Sequence, residues 1–443
     1  MVNQQEADVI VVGSGPSGAT VAKEMTEAGK KVTILEWGKH RPIKGNLLQA
    51  MPAVMMPGRS VLFTPEFAAV FRGIISGGSS VFYYGTAFDP PVEMFLKHGV
   101  DISTEVDEVR SELPTQPLND SLIGPMAERI MSSAQTLGYD WQKLPKFIDQ
   151  EKCKADCWRC TYGCPYDAKW SGKLFVDQAL EKGAELAEGV RVNKVLVENG
   201  KATGVEGKQS GRTVQYFAPT VVISAGGIGS PRILESSGIE GTGKDFFFDP
   251  LIAAMGSVGD IKGGREIPMA TGCHMEDEGY LMTDMTTPGT LFRALNAEVM
   301  KPHRMLSHGK TLTIMIKAKD DLGGQLTDGW RVNKPISEAD RSKLMKGYER
   351  AKDILKKAGA KKVYKTWYLA AHPGGTAKIG EHLDTDLQTD IKNLYVCDCS
   401  VIPEAWGLPP TFSLICLGKR LAKHLSGEVK ATTEISDSVH FQN

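Results

Sequence analysis

Residues 8–18, DVIVVGSGPSG, constrain the start of the fold more tightly than any other stretch of the chain. DVIVV is a short β-branched run that reads as a fully buried parallel strand. GSGPSG follows, then ATVAKEMTEAGK with helical character, then KVTILEWG, a second strand that ends in an acid. Strand, glycine turn, helix and strand within about thirty residues make the βαβ unit of a dinucleotide-binding sheet. Gly13 permits the tight turn, Gly15 lets a pyrophosphate approach the backbone, and Gly18 lets helix and strand pack closely. The helix N-terminus offers free amides to the phosphates. Glu36 lies eighteen residues beyond Gly18, where an acid binds ribose hydroxyls. A glycine turn without a ligand is the bland alternative, and the complete βαβ context argues against it. The motif alone does not separate FAD from NAD.

The chain has 443 residues, which suits two domains or one large cofactor domain with an insertion. A composition of 41% hydrophobic and 24% charged residues can bury a large core, and a net charge of −1 steers the protein toward neither nucleic acid nor an anionic membrane surface. No apolar run is long enough to span a bilayer. The N-terminal residues pass directly into the first strand without a charged region or an apolar h-region, so a secretory signal is not expected. The expected compartment is therefore the cytoplasm, where thiols stay reduced.

Further along, residues 45–65 are rich in methionine and proline and read as irregular loop, and residues 96–150 show no clear period. KLFVDQALEKGAEL reads as a helix ended by glycine. VRVNKVLVENGKATGVEG and TVQYFAPTVVISAGG are strand-rich, with NG and SG as hairpin turn signals. LTIMIKAK is strand-like. Ser337 and Asp340 resemble a capping box ahead of a helix whose apolar residues, Leu344 to Ala358, keep helical spacing until Gly359. PPTFSLICLGKRLAKHL reads as a closing helix, and the last residues as a loose tail.

Five segments in order resemble the glucose–methanol–choline (GMC) oxidoreductase family: the N-terminal unit, GGSS at 77–80, SAGGIGSPRILESSGI at 224–239, HPGGT at 372–376 and YVCDCSVIP at 395–403. The resemblance implies an α/β chain with a Rossmann-like FAD-binding domain of the GMC and p-hydroxybenzoate-hydroxylase kind and a sheet-rich α+β substrate domain. On that basis residues 1–95, 150–245 and 371–430 are expected to form the FAD domain, 96–149 and 246–370 the substrate domain, and 431–443 a flexible tail. It implies FAD, and oxidation of an alcohol carbon by hydride transfer to flavin N5. It also assigns cofactor contacts to Gly77, Gly78, Ser79, Ser80, Val192, Ala225, Gly226, Asp398, Pro409 and Thr411. The match to HPGGT makes His372 the base that withdraws the hydroxyl proton. The family usually supplies a second His or Asn followed by proline about thirty-five residues later. Here Leu408 occupies that position, and a leucine neither binds a proton nor polarises an oxygen.

Half of the chain's eight cysteines lie in CKADCWRCTYGCP, residues 153–165. Cys153, Cys157, Cys160 and Cys164 are spaced C-x3-C-x2-C-x3-C ahead of Pro165. Two disulfides, a structural zinc and an iron–sulfur cluster compete for this spacing. The cytoplasmic reading disfavours disulfides, and zinc pairs are usually separated by a longer loop. Dense cysteines followed by proline are similar to bacterial ferredoxin spacing, and within the GMC family sugar dehydrogenases carry a cysteine cluster before a comparable CP-x-x-A segment. Four ligands favour 4Fe–4S over 3Fe–4S. Cys273, Cys397, Cys399 and Cys416 read as buried small residues. The expectation is an FAD and iron–sulfur dehydrogenase oxidising the alcohol of a small molecule, such as a sugar or cyclic polyol. It would pass electrons to a one-electron carrier protein or partner subunit, without nucleic acid or direct membrane insertion. The same machinery run backwards, as a ketone or alkene reductase fed by a low-potential donor, is the leading alternative. A non-catalytic flavin subunit with structural zinc is the second.

Overall fold

The computed structural model describes residues 7–327 and 331–427, so the expected tail at 431–443 lies outside the described residues. β1 (Val9–Val12), α1 (Pro16–Glu27) and β2 (Val32–Glu36) form the expected βαβ unit. β1 and β2 are buried along their whole length, as a continuous apolar run requires when helices cover the sheet. They pair in parallel with each other and with strands drawn from far along the chain. The order across this five-stranded sheet is Leu394–Val396, Thr220–Ile223, β1, β2, Glu185–Glu188. α1 packs against the helices Gly172–Glu181 and Thr411–Ser426.

The strands Val190–Glu198, Lys201–Gln209 and Arg212–Phe217 form an antiparallel meander. Its turns are Asn199-Gly200 and Ser210-Gly211, all four with φ between 49° and 82°. That is the type I′ geometry the NG and SG signals call for.

A second, mainly antiparallel sheet is built around the strands Pro250–Ser257, Thr311–Ala318, Tyr280–Asp284 and Thr271–Met275. Alternation gives this sheet two distinct faces. Ile252, Ala254, Ile314 and Ile316 pack against Leu344, Ala351, Ile354 and Leu355 of the helix Glu338–Lys357. Ser337 caps that helix by accepting from the Asp340 N–H at 3.0 Å, as its sequence predicts. Leu251, Ala253, Met255, Met315 and Lys317 occupy the opposite face.

Two expectations fail locally. Residues 47–54 form a short helix rather than irregular loop, started by Asn46 Oδ1 accepting from Leu48 N at 2.8 Å. The aperiodic stretch 96–150 contains the helices Ser103–Glu112 and Pro125–Thr136. The first amides of the latter are capped by Glu266, 140 residues away, which accepts from Met126 N at 3.0 Å. A cap so distant leaves no local start signal. Among the described residues no helix is long and apolar enough to cross a membrane.

Candidate active site

The glycine turn is built as its spacing implies. A Cβ on Gly13 would sit 2.3 Å from Ser224 O, and one on Gly18 would sit 2.3 Å from Gly13 O. These two glycines close the strand–helix packing. A Cβ on Gly15 meets no protein atom within 4 Å, and the start of α1 has no side-chain cap. Open space thus faces uncapped helix amides, which fits an anionic phosphate. Glu36 is buried, and its carboxylate accepts from Ser14 Oγ at 2.6 Å and Gly38 N at 2.6 Å. Burial raises its pKa against these bonds.

Gly77, Gly78, Ser79 and Ser80 lie beside this turn. Gly77 N donates to Ser14 Oγ at 3.2 Å, and a Cβ on Gly78 would be 2.9 Å from Gly15 Cα. Ser80 Oγ donates to Gly77 O and accepts from Gly172 N, whereas Ser79 is exposed and bonds Gly73 N. Asp398 is buried and accepts from Gly226 N at 2.8 Å and Ser400 N at 2.8 Å, tying the ends of two parallel strands together next to Ala225. Val192 is buried in the meander, and Pro409 and Thr411 are buried where the closing helix begins. The sequence motifs do not point to Trp37, directly after Glu36. The guanidiniums of Arg59, Arg72 and Arg191 lie 5.0, 5.5 and 4.9 Å from its ring centroid. Three cations around one indole at the end of β2 suit the adenosine and phosphate half of a dinucleotide.

His372 stands on a segment pinned from two sides. Phe247 and Gly374 exchange backbone hydrogen bonds of 3.0 Å each, and a Cβ on Gly374 would lie 2.6 Å from Cys399 Sγ. A Cβ on Gly227 would lie 1.9 Å from Pro373 O. HPGGT therefore needs its glycine for close approach. The bridge to Phe247 also brings Asp249 to the imidazole, with Asp249 Oδ2 3.0 Å from His372 Nδ1. Lys317 Nζ lies 2.8 Å from the same oxygen and 3.5 Å from Nδ1. Asp249 and Lys317 are each 1% exposed and His372 27%. Among the described residues His372 Nε2 has no hydrogen-bond partner.

The electrostatics of this trio follow from burial. Desolvation lowers the His372 pKa, Lys317 lowers it further, and Asp249 opposes both. Burial would raise Asp249, but Lys317 and His372 outweigh it and hold the carboxyl below its ordinary value. The imidazole is thus neutral near neutral pH, with an ionised carboxylate at Nδ1. Asp249 and Lys317 lie 123 and 55 residues from His372 and belong to no motif. A lone lysine inside the apolar strand TLTIMIKA is the one available signal. Leu408 packs in the apolar cluster on this face of the sheet with Leu251, Ala253, Met255 and Met315.

The four loop cysteines are free thiols, Cys160 buried and the others half-buried. Burial pushes Cys153 up to about 12, with further increments from Cys160, Cys164 and Cys157, so the four share one electrostatic neighbourhood. Yet among the described residues no group of three or more His, Cys, Asp or Glu side chains is arranged to hold a metal ion. The iron–sulfur site expected on Cys153, Cys157, Cys160 and Cys164 is therefore not found as an assembled metal-holding group among the described residues. Two buried lysines adjoin them. Lys146 Nζ donates to Tyr84 O and Pro268 O, and Lys169 Nζ to Val81 O, Tyr83 O and Cys160 O, at 2.8–3.0 Å. Lys169 thereby ties the segment that follows Ser80 directly to the cysteine loop. Burial lowers both ammoniums to about 8, with Cys160 as the main opposing influence.

Comparison with known proteins places these features in context. The two GMC oxidoreductase family models match residues 99–254 and 325–418. An uncharacterised protein of Methanocaldococcus jannaschii is 28% identical over 94% of this chain and 99% of its own length. A long-chain-alcohol oxidase of Arabidopsis thaliana is 23% identical over 95% of this chain and 68% of its own. Among solved structures, formate oxidase of Aspergillus oryzae superposes with a TM-score of 0.74 at 15% identity, covering 97% of this chain and 99% of that one. Pyridoxine 4-oxidase of Mesorbium loti gives 0.71 at 15% identity, covering 94% and 98%. The expected mixed α/β flavoenzyme architecture is the one found.

Proposed function

The chain belongs to the GMC oxidoreductase family and is an FAD-dependent oxidoreductase of alcohol-type donors, and from that premise we propose that it oxidises a hydroxyl carried on an apolar carbon skeleton, with His372 as base. The observation that carries this reading is a neutral imidazole held at Nδ1 and open at Nε2, on the apolar side of the second sheet. Bound FAD supplies the hydride acceptor. Gly13, Gly15, Gly18 and Glu36, with the 77–80 and 225–226 segments, Val192, Asp398, Pro409 and Thr411, would hold it. His372 Nε2 takes the hydroxyl proton as the carbinol C–H pair departs, leaving a carbonyl.

The apolar face narrows the substrate. Leu408, partly buried against the core cluster of Leu251, Ala253, Met255 and Met315, offers no hydrogen bond, and a sugar ring brought against it would lose those it made to water. A hydrocarbon-bearing alcohol fits better than the sugar or cyclic polyol expected from the sequence. The long-chain-alcohol oxidase among the relatives agrees with this.

For the electrons, we infer an iron–sulfur cluster on Cys153, Cys157, Cys160 and Cys164, with a carrier protein beyond it. The donor set is suitable, and Lys146 and Lys169 bring two buried positive charges to a place where thiolate ligands would put negative ones. Their bonds also join the loop to the 81–84 segment that continues from the expected flavin contacts. A reducing cytoplasm suits eight free thiols.

The test is anaerobic mixing of the holoenzyme with 1-dodecanol in detergent, and separately with glucose or inositol, while following flavin absorbance near 450 nm. Bleaching by dodecanol but not by the polyols is expected. Bleaching by the polyols alone would overturn the substrate class, and no bleaching by any alcohol would overturn the direction of reaction.

A further inference from the structure

Leu408 leaves the usual second His or Asn position without a polar group, yet the imidazole is not alone. We propose that Asp249 and Lys317, a buried ion pair delivered from the second sheet, replace that missing partner as positioning residues for His372. The inference rests on the reading of His372 as base.

The pair is built by register. Asp249 directly precedes the strand Pro250–Ser257, and Leu251 on that strand lies opposite Lys317 on Thr311–Ala318. Both side chains therefore reach the same end of the same face, where the Phe247–Gly374 bridge sets His372. Asp249 Oδ2 is the shared point: it takes the Lys317 ammonium at 2.8 Å and the imidazole Nδ1 at 3.0 Å. An ionised carboxylate only accepts, so its 3.0 Å bond to the imidazole places the proton on Nδ1, donated to Asp249. This fixes the tautomer with its lone pair on Nε2, toward the open side.

The two partners then act in opposite senses. Asp249 favours the imidazolium that forms when the hydroxyl proton arrives. Lys317, 3.5 Å from Nδ1, disfavours a charged ring before substrate binds and holds Asp249 ionised. Neither touches Nε2, so both act through His372.

The surroundings do not supply this balance otherwise. Asp320 accepts from Asp249 N at 2.9 Å and is itself paired with Lys334 at 3.1 Å, with burial raising its carboxyl to about 7, and it faces Asp249 and Lys317 rather than the imidazole. Cys399 donates weakly to His372 O, and burial keeps its thiol protonated. Phe247 and Gly374 are uncharged. The field at Nδ1 is set by Asp249 and Lys317.

A substrate-independent measurement tests this. Holoenzyme carrying 13C- and 15N-labelled histidine is titrated by proton–carbon NMR at Cε1, with the His372 signal assigned by its loss in His372→Gln. In the unaltered protein the signal is expected to titrate below the ordinary histidine value. Asp249→Asn should move it further down, and Lys317→Gln should move it up. The double variant, which leaves no unpaired buried charge, keeps the comparison open if a single variant fails to fold. It should titrate between the two directions and show the 15N shifts of a mixed tautomer. Shifts of the same sign, or none, would overturn the proposal even if His372→Gln abolishes flavin bleaching. If His372→Gln leaves bleaching intact, the base assignment fails instead, whatever the titration shows.

Discussion

At the scale of single residues, the motif identifies His372 and the fold supplies what it works with. Replacing it by glutamine keeps a polar side chain in the pinned segment but removes the proposed proton acceptor, which is expected to lower the rate of flavin reduction by alcohol roughly 10²–10⁴-fold. Flavin content and thermal stability should stay near those of the parent, because the HPGGT segment is held by Phe247, Gly227 and Cys399 rather than by the imidazole. The pH dependence has a definite sign. The folded pKa lies below the ordinary value, so kcat/KM should hold through neutral pH and fall only as pH drops through that lowered value. An acidic limb above the ordinary histidine value would contradict this environment. Asp249 and Lys317 escape sequence reasoning for a physical reason. A charge inside an apolar strand reads as an edge or a snorkelling residue until the register shows which oxygen it meets.

At the scale of elements, the glycine turn was almost fully legible, since each glycine answers to a steric demand within β1, α1 and β2. The demands differ, and that difference is testable. Gly18→Ala would drive a Cβ to 2.3 Å from Gly13 O, so α1 must shift from the sheet, at about 1–3 kcal/mol. The apoprotein should melt at a lower temperature. Gly15 has φ −64° and meets nothing within 4 Å, so Gly15→Ala should leave the apoprotein melting point unchanged. Its methyl group fills the space left for the pyrophosphate, and FAD affinity should fall by at least about tenfold. Apoprotein melts and an FAD titration of both variants check the pair, and equal effects on stability would contradict the division of labour. The two hairpins were legible for a similar reason, their turns being settled by adjacent residues. The helix Pro125–Thr136 was not, because the carboxylate that caps it, Glu266, is supplied from the distant loop between Pro250–Ser257 and Thr271–Met275.

At the scale of the molecule, the parallel sheet brings Val9, Val32, Thr220 and Leu394 into one layer, so the cofactor cradle exists only when the whole chain has folded. The cysteine loop takes part in the same closure. Lys169 reaches the carbonyls of Val81, Tyr83 and Cys160 from one ammonium that also lies over the Tyr83 ring, and among the described residues no carboxylate bonds it. A buried cation without an anionic partner is costly, and that cost is offset if the loop carries negative charge. An iron–sulfur cluster with thiolate ligands supplies such charge, whereas four protonated thiols do not. Anaerobically purified protein should therefore contain about four irons, with matching acid-labile sulfide, per flavin. Cys160→Ser should lose most of that iron while keeping FAD, since the proposed dinucleotide contacts lie on other segments. Lys169→Met should lower the reduction potential of the cluster, because removing a nearby positive charge disfavours the added electron. Zinc without sulfide, or iron unaffected by Cys160→Ser, would remove this exit for the electrons. Oxygen or a two-electron acceptor at the flavin itself would then have to take them.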